Sequence, residues 1–248
     1  MGFHLDGVGV AAGAVERIWP TVDEIATGSY RQAMTAKWRL VAFATVVLVL
    51  SALGGPAYAA YVDNRVGNAR YRHDCSDSSQ ASPHYVCRTD NGAVSWWIEG
   101  RPIDTTGSPS DTPVELAINQ STVYDFNNPT DLSMAYDTTP KTSGSGETDI
   151  VYRSRPGDFV TSDDGYTFCD DAAAGNECDQ QYVNFRYTST TRALVCHETG
   201  HAVGLLHGEN SDPKVSNRDD RLGCMRKPIY SSEYGLGGNS ISSVNNMY

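Results

Sequence analysis

The stretch His197-Glu198-Thr199-Gly200-His201-Ala202-Val203-Gly204-Leu205-Leu206-His207 constrains this chain more than any other. Positions i and i+4 of a helix lie one above the other, so His197 and His201 can grip one ion from a single face. Glu198 sits one step round the helix, close to such an ion yet free to handle protons. Gly204 adopts positive φ at little steric cost, so it can end the helix and turn the chain back. That turn brings His207 in as a third nitrogen ligand and leaves a fourth position for water, the open arrangement of a catalytic zinc. The bland alternative is a buried helix with incidental histidines. At ordinary residue frequencies, however, the full pattern arises by chance in roughly one chain in a hundred thousand of this length. Three of the six histidines fall within it.

The stretch resembles the zinc-binding consensus of the metzincin metallopeptidases, HExxHxxGxxH followed by a methionine-containing turn. The resemblance implies one catalytic Zn2+ held by His197, His201 and His207, with Glu198 as general base and Gly204 as the helix-ending glycine. Met225, in Leu222-Gly223-Cys224-Met225-Arg226-Lys227-Pro228-Ile229-Tyr230, matches the Met-turn. Matrixins follow that Met with a Pro-x-Tyr segment lining the substrate pocket. Pro228-Ile229-Tyr230 stands one residue later than usual, and Tyr230 would help hold a developing oxyanion. The implied fold is α+β and zincin-like (metzincin): a twisted mixed sheet, an active-site helix and a small irregular C-terminal subdomain, with the cleft between the two parts. The implied activity is secreted, zinc-dependent endopeptidase action on a protein or peptide substrate. The rival from another class is a non-catalytic secreted binding module braced by zinc, for which a carboxylate at Glu198 has no purpose. Thr199, Gly200 and Ala202 between the ligands leave room for a peptide, or else allow close helix packing.

Leu40 to Leu53 is uncharged and mostly apolar, preceded by Lys37 and Arg39 and followed by Ala57-Tyr58-Ala59. Positive end, apolar core and an Ala-x-Ala exit describe a secretory signal peptide over residues 34–59, cleaved after Ala59. Met34 then makes the natural start, and residues 1–33, with Asp23 and Glu24, are expected not to belong to the product. An uncleaved membrane anchor over residues 40–60, with the catalytic domain outside, is the alternative. Residues 60–248 form the expected catalytic domain, a monomer. Residues 1–59 carry four basic and four acidic side chains, so the remainder keeps the net charge of −11. Such a chain does not seek nucleic acid or anionic lipid through its field.

All six cysteines follow residue 59, and an even number in an exported chain suggests three disulfides among fifteen connectivities. Proximity suggests Cys75–Cys87 and Cys169–Cys178. The Met-turn packs beneath the metal in metzincins, so Cys196 and Cys224, each directly before a site residue, would tie the zinc helix to the floor of its site. A buried free cysteine is the alternative. The acidic pairs Asp163-Asp164, Asp170-Asp171 and Asp219-Asp220 lack the alternating spacing of a calcium loop and read as solvated loop charge. Calcium at these pairs is the alternative. His73 and His84 alone remain for a second, structural zinc, which is not expected.

Val94–Ile98 is rich in strand-favouring residues. Thr112-Pro113-Val114-Glu115 has a capping Thr, Pro at the first position and Glu at the third, predicting a helix to about Phe126. Alternation predicts strands at Leu132–Tyr136, Asp149–Arg153 and Val183–Tyr187. Ser189, Thr190 or Thr191 would cap the zinc helix, whose Ala193-Leu194-Val195-Cys196 run predicts burial. Asn239 and Ser240 would cap a last helix carrying Ile241, Val244 and Met247. Segment 61–93 reads as polar and cysteine-stapled.

Overall fold

The branched and aromatic runs pair into one sheet. The computed structural model describes residues 60–77, 86–100, 112–155, 163–186, 190–232 and 234–248. The expectations for the leader and the start site, and those placed on His84, Tyr187 and Ser189, lie outside the described residues. Among these residues there are six strands: β1 (Arg88–Thr89), β2 (Ser95–Ile98), β3 (Ala135–Tyr136), β4 (Ile150–Ser154), β5 (Gly165–Ala172) and β6 (Glu177–Phe185). Their order is β1-β6-β4-β2-β3, all parallel, and β5 pairs antiparallel with the opposite side of β6. β5 is thus an edge strand among the described residues. Among the described residues three α-helices complete the α+β architecture: α1 (Pro113–Ser121), α2 (Arg192–Ala202) and α3 (Gly238–Asn245).

The helix starts follow their capping chemistry. Glu115 accepts from the Thr112 backbone N–H at 2.7 Å and Thr112 caps α1. The helix does not run regularly to Phe126; from Thr122 to Asn127 it widens into a π turn. Thr122 donates its hydroxyl to the Ile118 and Asn119 carbonyls there. That back-bonding competes with the regular ladder at the point where the apolar stripe weakens. The turn lets the buried Asp125 carboxylate meet Arg192, whose Nε donates to it at 3.0 Å. Arg192 opens α2, where a positive charge opposes the helix dipole, and Asp125 offsets it.

Leu132 and Met134 are buried in alternation as expected, but only Ala135–Tyr136 joins the ladder. The strand expected at 183 begins earlier, at Glu177, because it pairs along its length with β5. β5 itself carries Asp170 and Asp171, so that acidic pair lies on a strand rather than a loop. The other two pairs lie outside the strands, with Asp164 and Asp220 exposed to solvent as expected from the sequence, each beside an arginine. Asp219 pairs with Arg221, Asp220 with Arg226 and Asp164 with Arg186.

The core lies between the sheet and α1 and α2, filled by Trp96, Ile118, Phe126, Ile150, Tyr152 and Phe185. Tyr152 reaches through it to the Thr199 hydroxyl, 2.9 Å away, fixing α2 against the sheet. Three disulfides are formed: Cys75–Cys87, Cys169–Cys178 across the β5–β6 hairpin, and Cys196–Cys224. Segment 61–68 is not a loose polar arm. Val62, Asn64, Val66 and Asn68 are buried in alternation, and backbone bonds join the segment to the chain at 204–212. α3 is capped by Gly237 rather than Asn239 or Ser240, because Ser240 is fully buried and donates to the Leu222 carbonyl.

Candidate metal centre

Each of the three imidazoles is aimed by a backbone feature. Thr191 caps α2, its hydroxyl accepting from the Leu194 N–H at 3.2 Å, and His197 and His201 then fall on one face. The helix ends in a Schellman motif. Gly204 has φ +90°, its N–H donates to the His201 carbonyl and the Leu205 N–H donates to that of Gly200. A Cβ at Gly204 would stand 2.7 Å from Arg88 Cβ, so glycine is needed for space as well as for φ. The reversal carries His207 back to the other two rings, with centroids 4.8–5.0 Å apart.

The nitrogens are sorted by hydrogen bonding. His197 Nδ1–H donates to the Cys224 carbonyl at 2.7 Å and His201 Nδ1–H to the Leu205 carbonyl at 2.8 Å. Each Nε2 is then a lone-pair donor turned inward, the tautomer a metal requires. His207 Nε2 lies 3.0 Å from His197 Nε2, and one donor atom from each histidine lies within 4.8 Å of the others. Tetrahedral zinc with Zn–N bonds of about 2.0–2.1 Å separates two nitrogens by roughly 3.3 Å, so the donor set fits such an ion. Burial holds all three rings neutral, helped at His197 and His207 by the neighbouring imidazoles and at His201 by Lys227: His197 is lowered to about 3, His201 to about 4 and His207 lower still. Neutral imidazole is the ligating form.

Glu198 is buried beside the cluster, which raises its carboxyl to about 8. The Thr167 hydroxyl counters part of that shift and Asp163 adds to it. The carboxyl therefore keeps its proton at neutral pH unless a cation lies beside it. Thr167 Oγ1 is 2.8 Å from the Glu198 carbonyl oxygen and 3.1 Å from Oε2, so β5 reaches the carboxylate directly. Gly165, on the same strand, yields the room that the Glu198 side chain fills.

Met225 is fully buried under α2, and a Cβ on Gly200 would meet its Sδ at 2.2 Å. Gly200 thus serves close packing, as do the buried Thr199 and Ala202, and none of the three opens space for a peptide. Cys224, before Met225, both bridges to Cys196 and accepts from His197. Pro228 follows a cis peptide bond. Tyr230 is exposed, with the Arg226 guanidinium 5.3 Å from its ring centre. Among the described residues no hydrogen bond joins Tyr230 to the three imidazoles.

Sequence reasoning missed Gly165, Thr167 and Asn64, which carry no motif. Gly200 carried a signal, since glycine inside a helix costs about 1 kcal/mol and commonly marks a close approach. A second cluster, Glu147, Asp171 and Asp179, brings three carboxylates within 4.8 Å and draws on chain regions too far apart for a sequence motif.

The class defined by these features is a mixed α/β protein with a mostly parallel sheet, three disulfides and a three-histidine cluster able to bind a metal ion. No protein-family model matches the chain, and no curated protein matches it.

Proposed function

We propose that the chain is an exported zinc endopeptidase, a matrixin-like member of the metzincin clan with a zincin-type fold over residues 60–248. The observation that carries the reading is the convergence of three neutral imidazoles, two of them held by backbone carbonyls, with Glu198 directly after the first. His197, His201 and His207 would hold a zinc ion, which would supply Lewis acidity toward a scissile carbonyl and lower the pKa of a water towards neutrality. Glu198 takes the proton of the attacking water and delivers it to the leaving amine nitrogen. Thr167 holds the carboxylate oriented for both transfers. The edge of β5 near Gly165–Thr167, which no other strand covers among the described residues, receives an extended substrate by strand addition, which sets the peptide alongside Glu198. Pro228 and Tyr230 wall the substrate pocket, and Met225 supports the ligand shell from beneath.

Three disulfides support an oxidising compartment, and among the described residues no helix is long and apolar enough to cross a membrane. Export through residues 34–59 follows from the sequence pattern.

Glu198→Gln tests the assignment. The variant is expected to keep one zinc per chain and to cleave a peptide library about 10²–10⁴-fold more slowly than the wild type. Equal cleavage by the variant would remove Glu198 as the base. A fully zinc-loaded wild type that cleaves nothing would favour the non-catalytic binding module.

A further inference from the structure

The loop that carries His207 is gripped from the start of the described chain. Segment 61–68 runs antiparallel to residues 204–212: the Asp63 and Asp212 backbones bond reciprocally at 2.9 and 2.8 Å, and Val66 N–H donates to the Gly204 carbonyl at 2.8 Å. The centre of this contact is Asn64, with no exposed surface. Its backbone carbonyl accepts from the Leu206 N–H at 2.7 Å, and its side-chain amide donates to the Leu206 carbonyl at 3.1 Å. Leu206 is therefore held on both its polar groups by one residue. The remaining capacity of Asn64 goes to α3: Nδ2 donates to Ser240 Oγ at 3.1 Å, and Oδ1 accepts from the Ser243 hydroxyl at 2.9 Å.

Leu205 and Leu206 bear on two of the three imidazoles. Leu206 directly precedes His207, and the Leu205 carbonyl accepts the Nδ1 proton of His201. Any shift of this dipeptide turns His201 and displaces His207 together. A buried asparagine is costly unless every polar atom is matched, and here the matching ties Leu206 to α3 through one side chain.

We propose that Asn64 is a positioning residue of the metal centre, holding Leu205–Leu206 so that His201 and His207 converge with His197. The inference rests on the reading of the three histidines as a metal site. It makes docking of segment 61–68 a condition for tight metal binding.

The test uses the full chain with Asn64→Ala, Ser240→Ala and Tyr61→Phe. The last removes a 3.0 Å hydrogen bond between Tyr61 and Ser243, joining the same segment to α3 without touching Leu206. Zinc affinity is read by chelator competition, the ligand field by the visible bands of the cobalt(II) form, and stability by thermal unfolding of the metal-free protein. Asn64→Ala is expected to bind zinc about 10–100-fold more weakly and to lose intensity in the four-coordinate cobalt bands. Ser240→Ala is expected to show a smaller loss of the same kind, and Tyr61→Phe to match the wild type in both metal readouts. Unchanged affinity and spectrum in Asn64→Ala would overturn the proposal, as would an equal loss in Tyr61→Phe. Should Asn64→Ala fail to fold, Ser240→Ala decides: a lowered unfolding temperature with unchanged zinc affinity overturns it. A wild type that binds neither ion would instead overturn the metal reading itself, before any variant is compared.

Discussion

Gly165 leaves no room for a methyl group. A Cβ there would stand 2.8 Å from Glu198 Cγ and 2.9 Å from Oε1, and a buried carboxyl held by Thr167 has little freedom to yield. Gly165→Ala is therefore expected to leave zinc content unchanged while lowering peptide cleavage by about 10²-fold, the scale of a catalytic group displaced by about an ångström. Turnover at the wild-type rate would show that the carboxyl can move aside without loss. Residues of this kind were not legible in the sequence. His197, Glu198, His201, Gly204 and His207 stand out because their spacing matches one turn of helix and its reversal. Gly165 and Thr167 matter only through a contact with residue 198, across a fold that spacing does not encode. At Tyr230 the motif was readable while its neighbour was not: the ring lies beside the Arg226 guanidinium.

At the scale of elements, α2 is bound to the turn beneath it by three different means. The Cys196–Cys224 bridge closes over 28 residues, His197 donates to the Cys224 carbonyl, and Met225 fills the notch at Gly200. Replacing both cysteines by alanine is expected to cost about 2–4 kcal/mol of unfolding free energy, measured by denaturant titration, and to speed zinc loss to a chelator. Unchanged zinc loss would mean that the hydrogen bond and Met225 suffice to hold His197. The capping box at Thr112 and the branched, aromatic runs of β2 and β4 were readable because local chemistry and tertiary placement agree there. β5 was not, since Asp170 and Asp171 break the apolar alternation and its pairing comes from β6. The π turn escaped for a related reason: Asp125 needs it to meet Arg192, a partner 67 residues away.

Residues Ala60–Tyr248 form one compact unit in which His197, His201 and His207 lie in one cluster, with segment 61–68 and α3 joined to the loop that carries His207. This concentrates the pH response of the metal-free protein. The three histidines have folded pKa values below the unfolded value of about 6.5, so the unfolded chain binds more protons as pH falls below that point. Stability is then lost with acidification, each histidine contributing about 1.4 kcal/mol per pH unit until its folded pKa is reached. Glu198 acts in reverse: its folded pKa of about 8 exceeds the unfolded value, so its contribution is lost as pH rises from about 4.5 through 8. The metal-free protein is expected to be most stable between about pH 6 and 7, falling on both sides and more steeply on the acid side, as read by unfolding temperature against pH. A profile flat from pH 4 to 8 would contradict the burial of these groups. The burial of segment 61–68 was hidden from sequence because asparagines at 64 and 68 read as solvent-facing, and only their partners on distant elements make them core.

The most direct test of the three-histidine centre is anomalous diffraction at the zinc absorption edge from crystals of the purified, zinc-loaded protein. One peak is expected within about 2.0–2.1 Å of Nε2 of His197, His201 and His207 together. No peak there, or a zinc ion bound by other residues, would contradict the account.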